Sequence, residues 1–592
     1  VLFVLGSGLS LTFAKAGVFM KPQSSRFILL PAALICAALP CFAQVSHPGK
    51  SSSTDNPNTP QSKSRVGFCS SSPMKFALDP EAPQWNGWGA SISNKRFQSS
   101  STAGISQANV PRLKPKSAFG FDGAVAAYSQ PTVLSGNLFV GSEKGQIFSL
   151  DARSGCIHWS FQAAAGVRTA IIAGPESETN SASLAIYFGD QHGAVYALDL
   201  ASGHMLWKAQ TDSHPATLIT GSPQLWKGRL YVPVASSEED FAPNSRYECC
   251  SFRGSLIALD ASSGRQIWKT YTINEMPHKT QLNSADTQLW GPSGAGVWSA
   301  PTLDPDHNMI YIATGNAYSD PAPATSDSVL ALDLTSGKLL WSRQLTENDA
   351  YNSACYQADQ SNCPKSRGKD FDFGSSPILV SLTGGHRELI APQKSGVVYA
   401  LDPDQEGKLL WQMRLGDGGP LGGVEWGAAA DTDAQILYAA LSDCNWKPIE
   451  WMEDGVKKSG YGLDPAKGGG MFALRLADGQ QVWHASPSAT SCQDRSMCSP
   501  AQLAAVSAIP GAVFSGALDG HLRAYSAANG RILWDFDTVQ DFTTVNGVAA
   551  RGGSINGPGP VIVGGMLFMN SGYGRFGEAA GNVLIAFSVE GK

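Results

Sequence analysis

The sequence predicts an all-β fold: an eight-bladed β-propeller closed by an N-terminal strand. Three observations carry this. A phrase of about nineteen residues recurs, made of Gly, a short apolar run, Leu-Asp, a few small polar residues, Gly, three residues and Trp. Seven copies end at Trp159, Trp207, Trp268, Trp341, Trp411, Trp483 and Trp534. An eighth runs from Gly581 to Gly591 and stops at Lys592, before its last strand.

Each part of the phrase has a physical reason. The apolar run is rich in β-branched and aromatic side chains, as a buried strand requires. Asp can bond its own backbone ahead and Gly takes φ > 0 without a clash, so the two make the turn. The residues up to Trp form the second strand of a hairpin. One hairpin cannot bury its own face, and a series of them must stack. The strand missing from the eighth copy is supplied by Leu113–Phe121, which reads like the continuation after Gly in the other copies. Closing the ring this way removes the open sheet edge.

The chain ahead of the ring divides into two parts. Residues 1–43 read as an upstream extension and a signal peptide: Met20 as the start, basic Lys21 and Arg26, the apolar run Phe27–Leu39 and the small-residue site ending at Ala43. A membrane anchor is the rival reading, but the run is short for a span and Pro31 and Pro40 interrupt it. Residues 44–82 are polar and read as a disordered linker, and 83–592 as the propeller. The expected location is periplasmic or secreted, with no membrane span in the mature chain.

Net charge is -6, so no basic footprint argues for nucleic acid. Eleven Cys fit an oxidising compartment. Cys355/Cys363 and Cys492/Cys498 are spaced to staple loops, Cys249-Cys250 to form a vicinal disulfide, and Cys69, Cys156 and Cys444 have no obvious partner. No Cys-x-x-Cys-His occurs, so no c-type haem is attached.

The repeat Ala-Leu-Asp-x-x-Ser/Thr-Gly-x-x-x-Trp resembles the tryptophan-docking repeat of the quinoprotein alcohol dehydrogenases, which bind pyrroloquinoline quinone (PQQ). The entry segments Trp85–Phe97 and Ile105–Val110 are similar to theirs. Ala165–Ala170, Tyr247–Gly254, Asp370–Gly374 and Gly553–Pro560 resemble the polyvinyl-alcohol dehydrogenase branch. The resemblance covers about residues 85–592. It implies an exported alcohol dehydrogenase with PQQ and Ca²⁺, acting on secondary alcohol groups, polymeric or small. A separate cytochrome c or similar acceptor would take the electrons. A non-catalytic propeller scaffold of the outer-membrane assembly type shares the repeat and is the alternative.

The resemblance also assigns residues. Arg168 pairs with a PQQ carboxylate, as its planar fork allows. Thr220 contacts the cofactor and Trp298 forms the floor under the quinone. Glu238 and Asn316, each 18 residues after Thr220 and Trp298, are metal ligands, with Glu239 as the neighbouring alternative. Carboxylate and amide oxygens suit a hard cation such as Ca²⁺. The family's catalytic aspartate falls on Asn352 by spacing, and Asn cannot act as a base. An insertion carrying Cys355 and Cys363 intervenes, so the base and third ligand move to Asp370, with Asp372 as second choice. Lys394 stands beside the quinone oxygens, and Glu425 on a turn facing the cofactor.

Overall fold

The computed structural model describes residues 66–70, 79, 81–178, 183–453, 456–488, 490–493, 495 and 497–592. Of the two units into which the chain divides, Val1–Lys63 lies wholly outside these residues, and the propeller belongs to the other, Ser64–Lys592. The signal-peptide expectation and most of the linker therefore fall outside the described residues.

Eight antiparallel sheets follow one another along the chain, seven of four strands and the third with one short strand more. The first strands of blades 1 to 8 are Thr132–Leu134, Ile172–Pro175, Gln224–Trp226, Thr302–Asp304, Ile378–Ser381, Ala429–Asp431, Ser507–Ile509 and Val561–Val563. Most are wholly buried, whereas the fourth strands alternate toward solvent, so the first strands line the axis. The eighth blade is completed as expected. Leu113–Gly120 pairs antiparallel with Val583–Val589, Leu113 opposite Val589 and Gly120 opposite Val583.

The repeated Trp and Gly meet between blades. Trp159 Nε1 donates to Leu200 O, Trp207 to Ala261 O, Trp483 to Ala527 O and Trp534 to Leu113 O, at 2.8–3.1 Å. A Cβ added at Gly203, Gly264, Gly407 or Gly530 would meet the indole of the preceding blade at 2.5–2.6 Å. The turn glycine is thus needed twice, for its positive φ and for the space its missing side chain leaves. Trp411 differs: its Nε1 reaches Glu388 Oε2 at 3.4 Å within its own blade. Burial pushes the Glu388 carboxyl up to about 7, partly offset by Trp411 and His386.

Blade 8 carries no docking Trp, so its seam with blade 1 is built differently. Phe68 bridges Ile157 and Cys69 N donates to Ile157 O at 3.0 Å. A Cys69–Cys156 disulfide fixes this segment, which lies within the stretch expected to be linker. The three spacing-based pairs, Cys249–Cys250, Cys355–Cys363 and Cys492–Cys498, are formed, and Cys444 is free.

The axis is filled by the entry segment 85–98. Trp85 pairs with Val133, Asn86 with Ala173, and Asn94 with Gln224 and Thr302. Leu303, Leu379, Ala430 and Ala508 donate backbone N–H groups to Ile92, Ser93, Lys95 and Arg96. Six of the eight first strands thus give part of their free backbone edge to one segment, as a buried sheet edge requires, and the third joins through the Gln224 side chain. Arg96, 1% exposed, donates to Val506 O, Trp88 O, Gln130 Oε1 and Ser507 Oγ at 2.6–3.0 Å. Its guanidinium also lies 4.8 Å from the Trp88 ring centroid. Burial pulls its pKa down to about 9.

Two outcomes are expected from this packing. Gly264→Ala, at φ +70 against Trp207, should cost about 2–4 kcal/mol, read from urea unfolding. Gly136→Ala, at φ +79 with nothing within 4 Å, should cost only the backbone part of about 1 kcal/mol. Equal losses would remove the indole from the explanation. Because the folded pKa of Glu388 is raised, the native state holds its proton longer than the unfolded chain, and stability falls between about pH 4.5 and 7. Glu388→Gln should flatten that part of the melting-temperature profile and leave the remainder unchanged.

Candidate active site

All the candidate residues lie at one end of the ring. Arg168, Thr220, Trp298, Asp370, Asp372 and Glu425 stand in loops that precede first strands; Glu238, Asn316 and Lys394 follow second strands. In an antiparallel blade those two positions are neighbours, so the fold alone gathers them. A cavity of about 390 Å³ lined by Asn86, Ile92, Pro175, Gln224 and Trp226 holds none of them, and lies by the hairpin turns at the opposite end.

The centre is a buried ion cluster. Lys394 Nζ donates to Asp370 Oδ2 at 2.8 Å and lies 2.8 Å from Asp372 Oδ1. Trp298 Nε1 donates to Asp372 Oδ2 at 2.8 Å, so the indole and the ammonium hold the same carboxylate. All three charged side chains are under 10% exposed. Asp370 sits at φ +62, an unusual bend for a residue with a side chain. Asp349 enforces the bend: its Oδ1 and Oδ2 accept from the N–H groups of Asp370 and Phe371 at 3.1 and 2.8 Å. Burial pushes Asp370 up to about 7, with Lys394 pulling against it and Asp372 adding to it. Burial likewise pushes Glu425 up to about 8, and its Oε2 has no hydrogen-bond partner among the described residues.

The two neighbouring glutamates divide. Glu238 is saturated: Oε1 accepts from Tyr247 OH at 2.9 Å and Ser251 N at 2.8 Å, and Oε2 from Phe252 N at 2.8 Å. Burial opposes its charge, but these donors and His214, 3.4 Å away, hold its pKa below the usual range. Glu239 is half-buried, and its carboxylate makes no hydrogen bond or ion pair among the described residues. Burial and the like charges of Asp370, Asp240 and Asp372 drive its pKa well up, with Lys394 the opposing cation. Asn316 Nδ2 donates to Ala317 O and Tyr351 O, which leaves Oδ1 as its acceptor atom.

The aromatic part lies alongside. Trp298 and Trp426 meet edge to face at 5.2 Å, and the Arg168 guanidinium stands 4.3 Å from the Trp426 ring centroid. Tyr128 and Tyr573 complete a cage round Arg168 at 5.5 and 5.4 Å. Trp426 Nε1 donates to Asn556 Oδ1 at 2.8 Å. Thr220 precedes Gly221, whose missing side chain admits the Ser299 carbonyl next to Trp298. The vicinal pair Cys249–Cys250 is buried and adjoins Ser251, whose N–H bonds Glu238, with Asn352 Nδ2 3.8 Å from Cys249 Sγ.

Sequence reasoning did not assign a role to Asp349, Tyr128, Tyr573 or Asn556. None repeats at a fixed offset from the docking Trp. Asp327 was missed too: it is fully buried with neither carboxylate oxygen hydrogen-bonded among the described residues, and burial and Asp349 drive its pKa well up.

Among the described residues no three acidic, histidine or cysteine side chains are grouped as a metal site. The oxygens of Asp370, Asp372 and Asn316 are of the type a hard cation takes. Two indoles and a caged arginine fit a flat, carboxylate-bearing quinone. Comparison with known proteins agrees. A family profile described as outer membrane protein assembly factor BamB matches residues 101–286 and 463–590. One described as the glucose/ethanol/alcohol dehydrogenase β-propeller domain matches 270–415, which spans Trp298, Asp370, Asp372 and Lys394. A polyvinylalcohol dehydrogenase from a Pseudomonas sp is 43% identical over 528 residues, covering 87% of this chain and 78% of that protein. One from Sphingopyxis sp. (strain 113P3) is 39% identical, covering 88% and 79%. The crystal structure of quinohemoprotein alcohol dehydrogenase from Comamonas testosteroni superposes with a TM-score of 0.61 at 18% identity, over 86% of this chain and 81% of that one, and so shares the fold. Relatives matched over most of both chains decide between scaffold and enzyme: the chain belongs to the PQQ-dependent quinoprotein alcohol dehydrogenases, in the polyvinylalcohol dehydrogenase group.

Proposed function

We propose that this protein is an exported dehydrogenase that oxidises secondary alcohol groups of polyvinyl alcohol, using PQQ and Ca²⁺ and passing electrons to a separate cytochrome c. The observation that carries this is the pairing of Lys394 with Asp370 and Asp372 beside Trp298, together with the similarity to polyvinylalcohol dehydrogenases. Among the described residues no helix is long and apolar enough to cross a membrane. The export signal read in residues 1–43 supports a periplasmic or secreted location.

When bound, PQQ would supply the hydride acceptor and Ca²⁺ the Lewis acid. The chain supplies the remainder. Trp298 provides a floor and Arg168 a carboxylate clamp. Thr220 and Glu425 line the same end of the ring. Asp370 takes the hydroxyl proton, since it is a buried carboxylate that Lys394 holds in place. Asp372, held by both Lys394 and the Trp298 indole, orients the floor. Lys394 stabilises the negative charge that develops on the oxygens beside it. Metal ligation falls to Asn316 Oδ1, Asp370 and Glu239. Glu238 serves as the anchor behind them, its oxygens already committed to protein donors.

Reconstitution with PQQ and Ca²⁺, followed by dye reduction with polyvinyl alcohol and with a short secondary alcohol, tests the function. Neither substrate reducing the dye would refute it. Asp370→Asn should lower kcat about a hundredfold or more while PQQ binding stays within a few-fold. An active Asp370→Asn beside an inactive Asp372→Asn would move the base to Asp372. Calorimetric Ca²⁺ titration should show Glu239→Gln weakened about tenfold or more. Glu238→Gln should instead lower the melting temperature, because its buried donors lose their acceptor.

A further inference from the structure

The loops joining second to third strands differ sharply among blades. Four are tight turns, 142–145, 190–193, 393–396 and 517–520. In blade 6 the loop is 442–469 and contains a two-stranded hairpin, Trp446–Glu453 paired with Val456–Leu463. It leaves the ring at the same end as Lys394. Asp464 N closes its base on Asn445 O.

One face of this arm leads outward from the active site. Trp446 lies opposite Leu463, Pro448 opposite Tyr461 and Glu450 opposite Ser459, and directly opposed residues share a face. At the base, Leu463 is buried and Trp446 partly buried, in the same apolar cluster as Trp298 and Trp426. Further out Pro448 is exposed and Tyr461 is 77% exposed, with no described contact on its ring. Beyond them Lys457 pairs with Glu450 at 2.7 Å, and at the base Lys447 pairs with Asp464 at 3.6 Å. Among the described side chains of this face Glu450 and Lys457 are paired with each other, and Pro448 and Tyr461 offer an apolar surface with a phenol hydroxyl.

We propose that this arm is the polymer-binding element of the enzyme, and that Tyr461 and Pro448 grip a neutral polyol chain whose reacting unit lies at Asp370. The proposal rests on the substrate reading given above. A chain of alternating methylene and carbinol groups matches the face: its C–H groups pack on the Tyr461 ring and Pro448, and its hydroxyls meet the Tyr461 OH. An eight-residue strand extends about 27 Å, enough to hold many repeat units of a long chain and none of a short alcohol bound at the centre. A charged partner such as an electron-transfer protein finds no unpaired described charge on this face.

The test uses the full-length protein loaded with PQQ and Ca²⁺. Tyr461→Ser and a variant with residues 447–462 replaced by a short Gly-Ser turn are compared with the wild type. The expected result is a KM for polyvinyl alcohol raised about five- to tenfold in Tyr461→Ser and further in the shortened variant. Kinetics on a short secondary alcohol should stay within twofold. Electrophoresis in native gels containing polyvinyl alcohol gives a readout independent of turnover: the wild type is retarded and the shortened variant is not. Equal retardation of all three, no retardation of any, or equal losses on polymer and short alcohol would overturn the proposal. Retardation that depends on the arm, in a protein that oxidises the short alcohol but not the polymer, upholds the arm as a polyol-binding face and refutes the substrate reading alone.

Discussion

An indole lying on the backbone of a glycine in the following blade is the contact on which this ring depends. A propeller has no central core of the ordinary kind. Each sheet is held only by its two neighbours, so the angle between sheets must be set locally and set alike each time. The docking Trp does this by filling the space a Cβ would take at Gly203, Gly264, Gly407 and Gly530. Its Nε1 then bonds a carbonyl of the following blade in four cases. The remaining indoles depart from this: Trp411 Nε1 turns to Glu388 in its own blade, and those of Trp268 and Trp341 are buried with no hydrogen-bond partner among the described residues. At the seam without a Trp, the Cys69–Cys156 bond stands in.

The ring then brings loops from blades far apart in sequence to one end, and there it concentrates negative charge. Asp370 and Asp372 share one buried cation, Lys394, and the buried Glu425 carboxyl lies within reach of their charge. Burying an unbalanced set of carboxylates is costly, and the raised pKa values of Asp370 and Glu425 express that cost. Such an arrangement is unfavourable for stability and favourable for holding a divalent cation and a proton acceptor together.

The architecture was legible because it repeats: period, blade count and closing strand all come from where Gly and Trp recur. The candidate residues were legible as a set, since each stands at the start of a first strand or the end of a second. What one sequence could not resolve was direction at single-residue scale. Glu238 and Glu239 are adjacent, and only the positions of Ser251, Phe252 and His214 show that Glu238 is already satisfied. Asp349 escaped notice because its role is to accept two backbone N–H groups across an insertion. The axial course of segment 85–98 was invisible for a similar reason: its partners are single groups, mostly of the backbone, scattered over seven blades.

That axial segment has a consequence for how the chain reaches this state. Its partners begin at Val133 and extend to Ala508, and the neighbouring closing strand waits for Val583–Val589. The first part of the ring to be synthesised is therefore the last to find its full set of contacts. Contact order is high, loop closure must precede reward, and a truncated chain leaves both the bare axis and an open edge exposed. Acquisition of the native state should accordingly be slow and all-or-none, and once Arg96 is enclosed by blade 7 and the two tryptophans, escape should be slower still. For such a molecule, persistence is governed by the height of the unfolding barrier more than by the depth of the native well.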